Sequence, residues 1–207
     1  MSNMLVYSRK KNGQQNITPN IKVYEVACKD GSDYIKIDYV VCAIAQYVRD
    51  YYKKGIHINS AYRTVAHNRA QGGTSDSRHL KGYAIDAWVT GVKQQELANL
   101  AYSMGLVRVG VYGSFVHMDT DRSPKWLSQG KFSKVNVPYL RTLKKGSKDY
   151  LNAILQYRLN CLGYNCGTED GEFGDKTYNA VKQFQKVKGL TCDGVVGKNT
   201  WNKIFNN

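Results

Sequence analysis

The sequence predicts an α+β fold, in which an antiparallel sheet with flanking helices is followed by a small three-helix unit. Three observations predict it. In residues 1–127, stretches with apolar residues at helical spacing are separated by short alternating runs. Residues 128–138 then break the pattern with polar, Gly/Ser-rich sequence ending in Pro138. Beyond them, one Asp-Gly motif occurs twice.

The elements follow in order. Asp38 is placed to cap a helix over 38–54, with Val41, Ile44, Ala45 and Val48 on its apolar face and Gly55 as its stop. Residues 56–59 alternate as a strand, His67 falls in a short helical stretch, and 83–89 reads as a second strand. A helix over 93–104 presents Leu97, Leu100 and Ala101, and Gly105 ends it. Residues 107–112 and 115–119 form a hairpin that turns at Gly113-Ser114. Residues 128–138 read as a linker between a domain at 1–127 and a second at 139–207.

In the second domain, Asp170-Gly171-x2-Gly174-x2-Thr177 returns as Asp193-Gly194-x2-Gly197-x2-Thr200. The glycines admit the positive φ of a tight turn. Each threonine is expected to cap the helix that follows. With a preceding helix over 150–162 that presents Leu151, Ile154, Leu155 and Leu159, the unit becomes a three-helix bundle.

Bulk properties exclude several classes. With 42% hydrophobic residues and three prolines, the 207-residue chain is globular and large enough for one or two domains. No apolar run approaches the ~20 residues of a membrane span, and residues 1–7 lack the basic and apolar regions of a secretory signal. Thirty basic against 16 acidic residues give +14, which favours an anionic partner such as a charged cell wall, anionic lipid or nucleic acid. Arg9-Lys10-Lys11 and Lys144-Lys145 are too short for a nucleic-acid site, so no nucleic-acid partner is expected. The five cysteines contain no Cys-x2-Cys pair, which excludes a zinc knuckle. Reduced thiols are the simplest account, with one disulfide among Cys161, Cys166 and Cys192 as the alternative.

His79, Asp86 and His117 are the candidate metal ligands. Two imidazoles and a carboxylate are the donor set of a catalytic zinc ion that keeps one position open. The Lys81-Gly82 step suits a turn that returns a loop histidine beside an aspartate on the next strand, and His117 closes the site from another strand. Spacing alone fits ordinary histidines as well.

The surrounding strings carry more. Ser77-x-His79-x2-Gly82-x-Ala84-x-Asp86, with the later His117-x-Asp119, resembles the zinc D-alanyl-D-alanine carboxypeptidase family, which includes L-alanyl-D-glutamate endopeptidases. Ile58-Asn59-Ser60-Ala61-Tyr62-Arg63-Thr64, His67-Asn68, Arg108-Val109-Gly110-Val111-Tyr112 and Trp126 extend the likeness over about residues 20–127. The resemblance implies Zn2+ on His79, Asp86 and His117, Arg63 as the group that binds substrate and steadies the oxyanion, and Ser77 as a substrate hydrogen-bonding residue. Several members place the general base as an acid three residues before the last ligand, or as a histidine two before it; here those positions hold Ser114 and Phe115. On an extended strand Phe115, His117 and Asp119 share a face. Asp119 is therefore the candidate, either as base or as a partner orienting His117. Tyr112 is assigned to hairpin packing, and His57 and His67 to ordinary structural roles.

Leu143-Lys144-Lys145-Gly146-Ser147, Leu162-Gly163-Tyr164, Asp170-Gly171-x-Phe173-Gly174, Ala180-Val181-Lys182-x-Phe184-Gln185 and Thr200-Trp201 resemble the peptidoglycan-binding domain of wall hydrolases. Together the two resemblances imply an endolysin-like zinc peptidase anchored on bacterial peptidoglycan, cutting the stem peptide at the L-Ala–D-Glu bond. A D-Ala-D-Ala carboxypeptidase and a catalytically silent wall-binding protein are the alternatives. Such an enzyme is expected to be made in the host cytoplasm without a signal peptide and to reach the wall through a membrane hole at lysis.

Overall fold

The computed structural model describes residues 2–106, 108–122 and 130–206. The first part of the chain forms β1 (Met4–Ser8), α1 (Arg9–Asn12), β2 (Asn16–Thr18), β3 (Ile21–Lys22), β4 (Tyr34–Asp38) and α2 (Tyr39–Tyr52). There follow β5 (Ile56–Ser60), α3 (Val65–Ala70), α4 (Arg78–Lys81), β6 (Ala84–Val89), α5 (Gln94–Ser103), β7 (Arg108–Val111) and β8 (Val116–Asp119). Three helices complete it: α6 (Tyr150–Cys161), α7 (Asp175–Val187) and α8 (Lys198–Phe205). The fold is α+β, as the sequence patterning predicts.

Helix α2 is the spine of the first part, because every side chain from Val40 to Val48 is buried. Asp38 caps it by accepting from the Val40 N–H at 3.3 Å. The helix ends earlier than Gly55, since Lys53 itself takes the left-handed conformation (φ 52°) and returns its N–H to Arg49. β1 pairs antiparallel with β4, from Met4 opposite Asp38 to Ser8 opposite Tyr34. The sequence reading assigns no strand to residues 4–8.

The sheet that positions the site has the order β5-β6-β8-β7, antiparallel throughout. Its register sets Asp86 opposite His117 and Ala84 opposite Asp119. The hairpin expected from 107–119 forms as β7 and β8; residue 107 lies outside the described residues.

In the C-terminal bundle the repeated motif has a different purpose from helix capping. Gly174 and Gly197 occupy the N-cap positions of α7 and α8, so Thr177 and Thr200 lie inside the helices and are buried. Gln156 explains the first threonine: its Nε2 lies 3.0 Å from Thr177 Oγ1, Asp170 Oδ1 and the Glu172 carbonyl, and its Oε1 accepts from Gly171 N–H. Gln185 repeats the arrangement with Thr200, Asp193, Val195 and Gly194. A buried amide whose donors and acceptor are all used fixes each turn against a helix.

The two parts share one apolar core, with α2 packed against α6. Residues 130–138 contain no helix or strand, yet they are held from both sides. Val135 N–H donates to Ser103 Oγ (2.8 Å), Tyr47 O–H to the Pro138 carbonyl (3.0 Å) and Trp201 Nε1 to the Val137 carbonyl (3.2 Å). Tyr150 also donates to Asp50, and Arg122 pairs with Glu169. Trp126, Ser128 and Gln129 lie outside the described residues. All five cysteines are free thiols, and among the described residues no helix is long and apolar enough to cross a membrane.

Candidate metal centre

His79 sits on α4, a single helical turn rather than the loop expected from sequence. Gly82 closes that turn with φ +75°, and a Cβ there would lie 2.2 Å from the Lys36 carbonyl oxygen. Only glycine permits both the conformation and the approach. The chain then enters β6, which delivers Asp86 two residues after the buried Ala84. His117 arrives from the adjacent β8.

Asp86 Oδ1 lies 2.8 Å from His117 Nδ1, and Asp86 Oδ2 lies 3.2 Å from His79 Nε2. One donor atom from each residue falls within 4.8 Å of the others. Tetrahedral zinc at the usual bond lengths separates its ligand atoms by about 3.3 Å, so the triad is close to the required shape. The far nitrogen of His79, Nδ1, lies 2.7 Å from the Ala61 carbonyl. A carbonyl can only accept, so Nδ1 carries the proton and Nε2 presents its lone pair to the triad. Burial works to raise the Asp86 pKa, but the His117 and His79 imidazoles beside Oδ1 and Oδ2, in their protonated forms, outweigh it and hold the carboxyl well below the usual range. An anionic carboxylate and an oriented imidazole fit a zinc ion.

Arg63 reaches the same carboxylate, with Nη2 2.8 Å from Asp86 Oδ2 and Nε 2.7 Å from Ser60 Oγ. The triad and Arg63 line a cleft of about 760 Å³. Ser77 lines it too; its side chain makes no cap hydrogen bond to α4.

The family described as Peptidase M15 matches residues 15–119, just over half of the chain, and includes all of these groups. The chain belongs to the peptidase M15 family. A peptidoglycan binding domain matches residues 153–204. Among curated proteins, the zinc D-Ala-D-Ala carboxypeptidase of Streptomyces albus G is 40% identical over 68 residues, 31% of this chain and 26% of that protein. The N-acetylmuramoyl-L-alanine amidase CwlM of Mycobacterium tuberculosis is 42% identical over 53 residues, 26% of this chain and 13% of that protein. The chain thus spans about a quarter or less of these relatives' lengths. Among solved structures, the SleB N-terminal domain is 33% identical, covers 32% of this chain and 90% of that one, and superposes with a TM-score of 0.31.

In this M15 chain Asp119 is buried and lines the cleft, on the strand face shared with His117. Its carboxylate bonds Arg108 Nη1 (3.2 Å) and the Asp121 N–H (2.6 Å). Burial raises its pKa, opposed by the Asp121 N–H and by the charges of His117 and Arg108. Arg108 is a site-lining residue that no sequence pattern singles out; it stands opposite Asp119 across the hairpin, a relation visible only once the strand register is known. Arg78 pairs with Asp121 and donates to the Asp76 carbonyl on the cleft wall. Tyr112 and Phe115 stack with centroids 4.7 Å apart, so Tyr112 does pack in the hairpin, but the pair also forms one wall of the cleft. His67 lines the cleft as well, whereas His57 stacks on Trp88 outside it.

Proposed function

We propose that this protein is a zinc-dependent peptidase of bacterial peptidoglycan that hydrolyses the stem peptide at its L-Ala–D-Glu bond. The observation that carries the reading is the convergence of His79, Asp86 and His117 within 4.8 Å in a cleft of an M15 chain that also carries a peptidoglycan binding domain.

Zinc on these three side chains supplies Lewis acidity, which polarises a carbonyl and acidifies water. The chain's own groups supply the rest. The Ala61 carbonyl orients the His79 imidazole. Arg63, anchored through Nε and Nη2, keeps Nη1 for the substrate and stabilises negative charge growing on the scissile carbonyl oxygen. Asp119, two residues along β8 from His117 and held by Arg108, serves as the proton acceptor. Ser77 offers its hydroxyl to the peptide backbone of the substrate.

A binding domain packed against the catalytic half holds the enzyme on the polymer and raises the local concentration of stem peptides. That arrangement supports cleavage of a bond that opens the mesh, and with it a lytic role after release to the wall. A net charge of +14 adds attraction to anionic wall polymers. The D-Ala-D-Ala bond is the second reading, supported by the name of the Streptomyces relative. Incubation with purified peptidoglycan is expected to release free amino groups, to stop with chelator and to resume with zinc. Release that continues in chelator would contradict the metal-dependent reading.

A further inference from the structure

The sheet face that carries Asp86 and His117 continues past the cleft. Trp88 lies two residues along β6 from Asp86, hence on the same face and about 7 Å away. Its indole stacks on the His57 imidazole of the neighbouring edge strand, with centroids 4.0 Å apart and planes inclined by 13°. Trp88 Nε1 donates to Asn59 Oδ1 at 3.1 Å, and His57 Nε2 lies 3.0 Å from Thr90 Oγ1. Polar neighbours thus fix both rings by their edges, while His57 and Thr90 are exposed and Trp88 is half-buried.

Asn59 joins this platform to the cleft. It sits where the register of β5 and β6 shifts between Ile58 and Ser60, a bulge of the kind that re-aims a side chain, and it lines the cleft. An indole N–H can only donate, so the amide oxygen faces Trp88 and Asn59 Nδ2 keeps two donors for another group.

An aromatic pair with an exposed imidazole and a half-buried indole, rimmed by the Asn59 amide and the Thr90 hydroxyl and continuous with a peptidase cleft, suits a pyranose ring. The ring's axial C–H groups lie on the aromatic face, and its acetamido and hydroxyl groups reach the polar rim. We propose that His57 and Trp88 form a saccharide subsite for the N-acetylhexosamine to which the stem peptide is attached.

The inference rests on the stem-peptide reading and selects among its bonds. The stem runs from the sugar's lactyl group through L-Ala to D-Glu, so the L-Ala–D-Glu bond lies one residue from the sugar. The D-Ala–D-Ala bond lies three residues further, about 10 Å in extended chain. A sugar seated about 7 Å from Asp86 along the strand brings the first bond to the triad and leaves the second beyond it.

The test compares kcat/KM on a sugar-bearing stem peptide and on the same peptide without sugar, for wild type, His57→Ala and Trp88→Phe. In parallel, the sugar-bearing compound is titrated into the chelator-treated full chain while the Trp88 indole N–H resonance is followed by NMR. The wild type is expected to prefer the sugar-bearing substrate by about tenfold. His57→Ala should erase most of that preference and leave the sugar-free rate unchanged, and the indole resonance should shift on titration. Equal wild-type rates on the two substrates, or a parallel fall on both in the variants, would overturn the subsite. If the wild type cuts neither compound, the stem-peptide reading fails, and the subsite stands or falls on the indole shift alone.

Discussion

His79 Nδ1 lies 2.7 Å from the Ala61 carbonyl oxygen, and this contact fixes which nitrogen of the ring meets Asp86. The backbone after β5 thereby selects the tautomer that a metal requires. One zinc per chain is expected by calorimetric titration, and His79→Ala or His117→Ala should each weaken it by at least ~100-fold. Unchanged affinity in either variant would remove that residue from the ligand set.

Arg63 touches both the triad and the cleft, so its two contributions can be separated. Arg63→Lys keeps a positive charge but loses the forked geometry. We expect zinc binding to persist while kcat falls about 10²-fold. Measuring zinc content beside turnover decides the matter; full activity in Arg63→Lys would make the guanidinium structural only.

Gly82 is a steric requirement of the motif. In Gly82→Ala the new Cβ would meet the Lys36 carbonyl at 2.2 Å in a backbone conformation with positive φ. A loss of at least ~2 kcal/mol is expected in urea unfolding. A loss below ~0.5 kcal/mol would mean that β4 yields without cost.

Asp38 gives the stability a pH dependence. Burial pushes its pKa up to about 6 from the ordinary 3.8, against the hydrogen bonds from Thr120 and the Val40 N–H and the charge of Arg122. The folded state therefore holds this proton more tightly than the unfolded chain. Its contribution is complete below pH 4 and disappears as pH rises through about 6, a change on the order of 3 kcal/mol. Asp38→Asn should flatten the stability profile between pH 4 and 7. An unchanged slope would assign the dependence to other groups.

The shared core predicts cooperative unfolding. Val137 is fully buried, and its N–H and carbonyl meet Asn206 and Trp201, while Tyr47 from α2 donates to Pro138. Calorimetry of the full chain should give one transition. Two well-separated transitions would mean that the halves melt independently.

The clustering of His79, Asp86 and His117 is legible because these residues lie in short strings whose local geometry is strict, Gly82 above all. The groups that orient them are not. Ala61, the Arg63–Asp86 pair and the Arg108–Asp119 pair depend on strand register and on chain crossings that no local pattern encodes. The repeat shows the same limit. Its Asp-Gly turns recur 23 residues apart (193 − 170), while the glutamines they close on, Gln156 and Gln185, are 29 apart. A fixed-offset comparison therefore finds the turns and misses their partners, and the threonines are read as caps instead of buried hydrogen-bond partners. Strand β1 went unseen because Leu5-Val6-Tyr7 is too short a run to stand out before its pairing with β4 is known.

Mass spectrometry of purified peptidoglycan digested by the full chain tests the central claim most directly. New L-alanine carboxyl termini paired with new D-glutamate amino termini are expected, lost with chelator and restored by zinc. Loss of a terminal D-alanine alone would contradict the endopeptidase assignment, and the absence of any metal-dependent product would contradict the catalytic one.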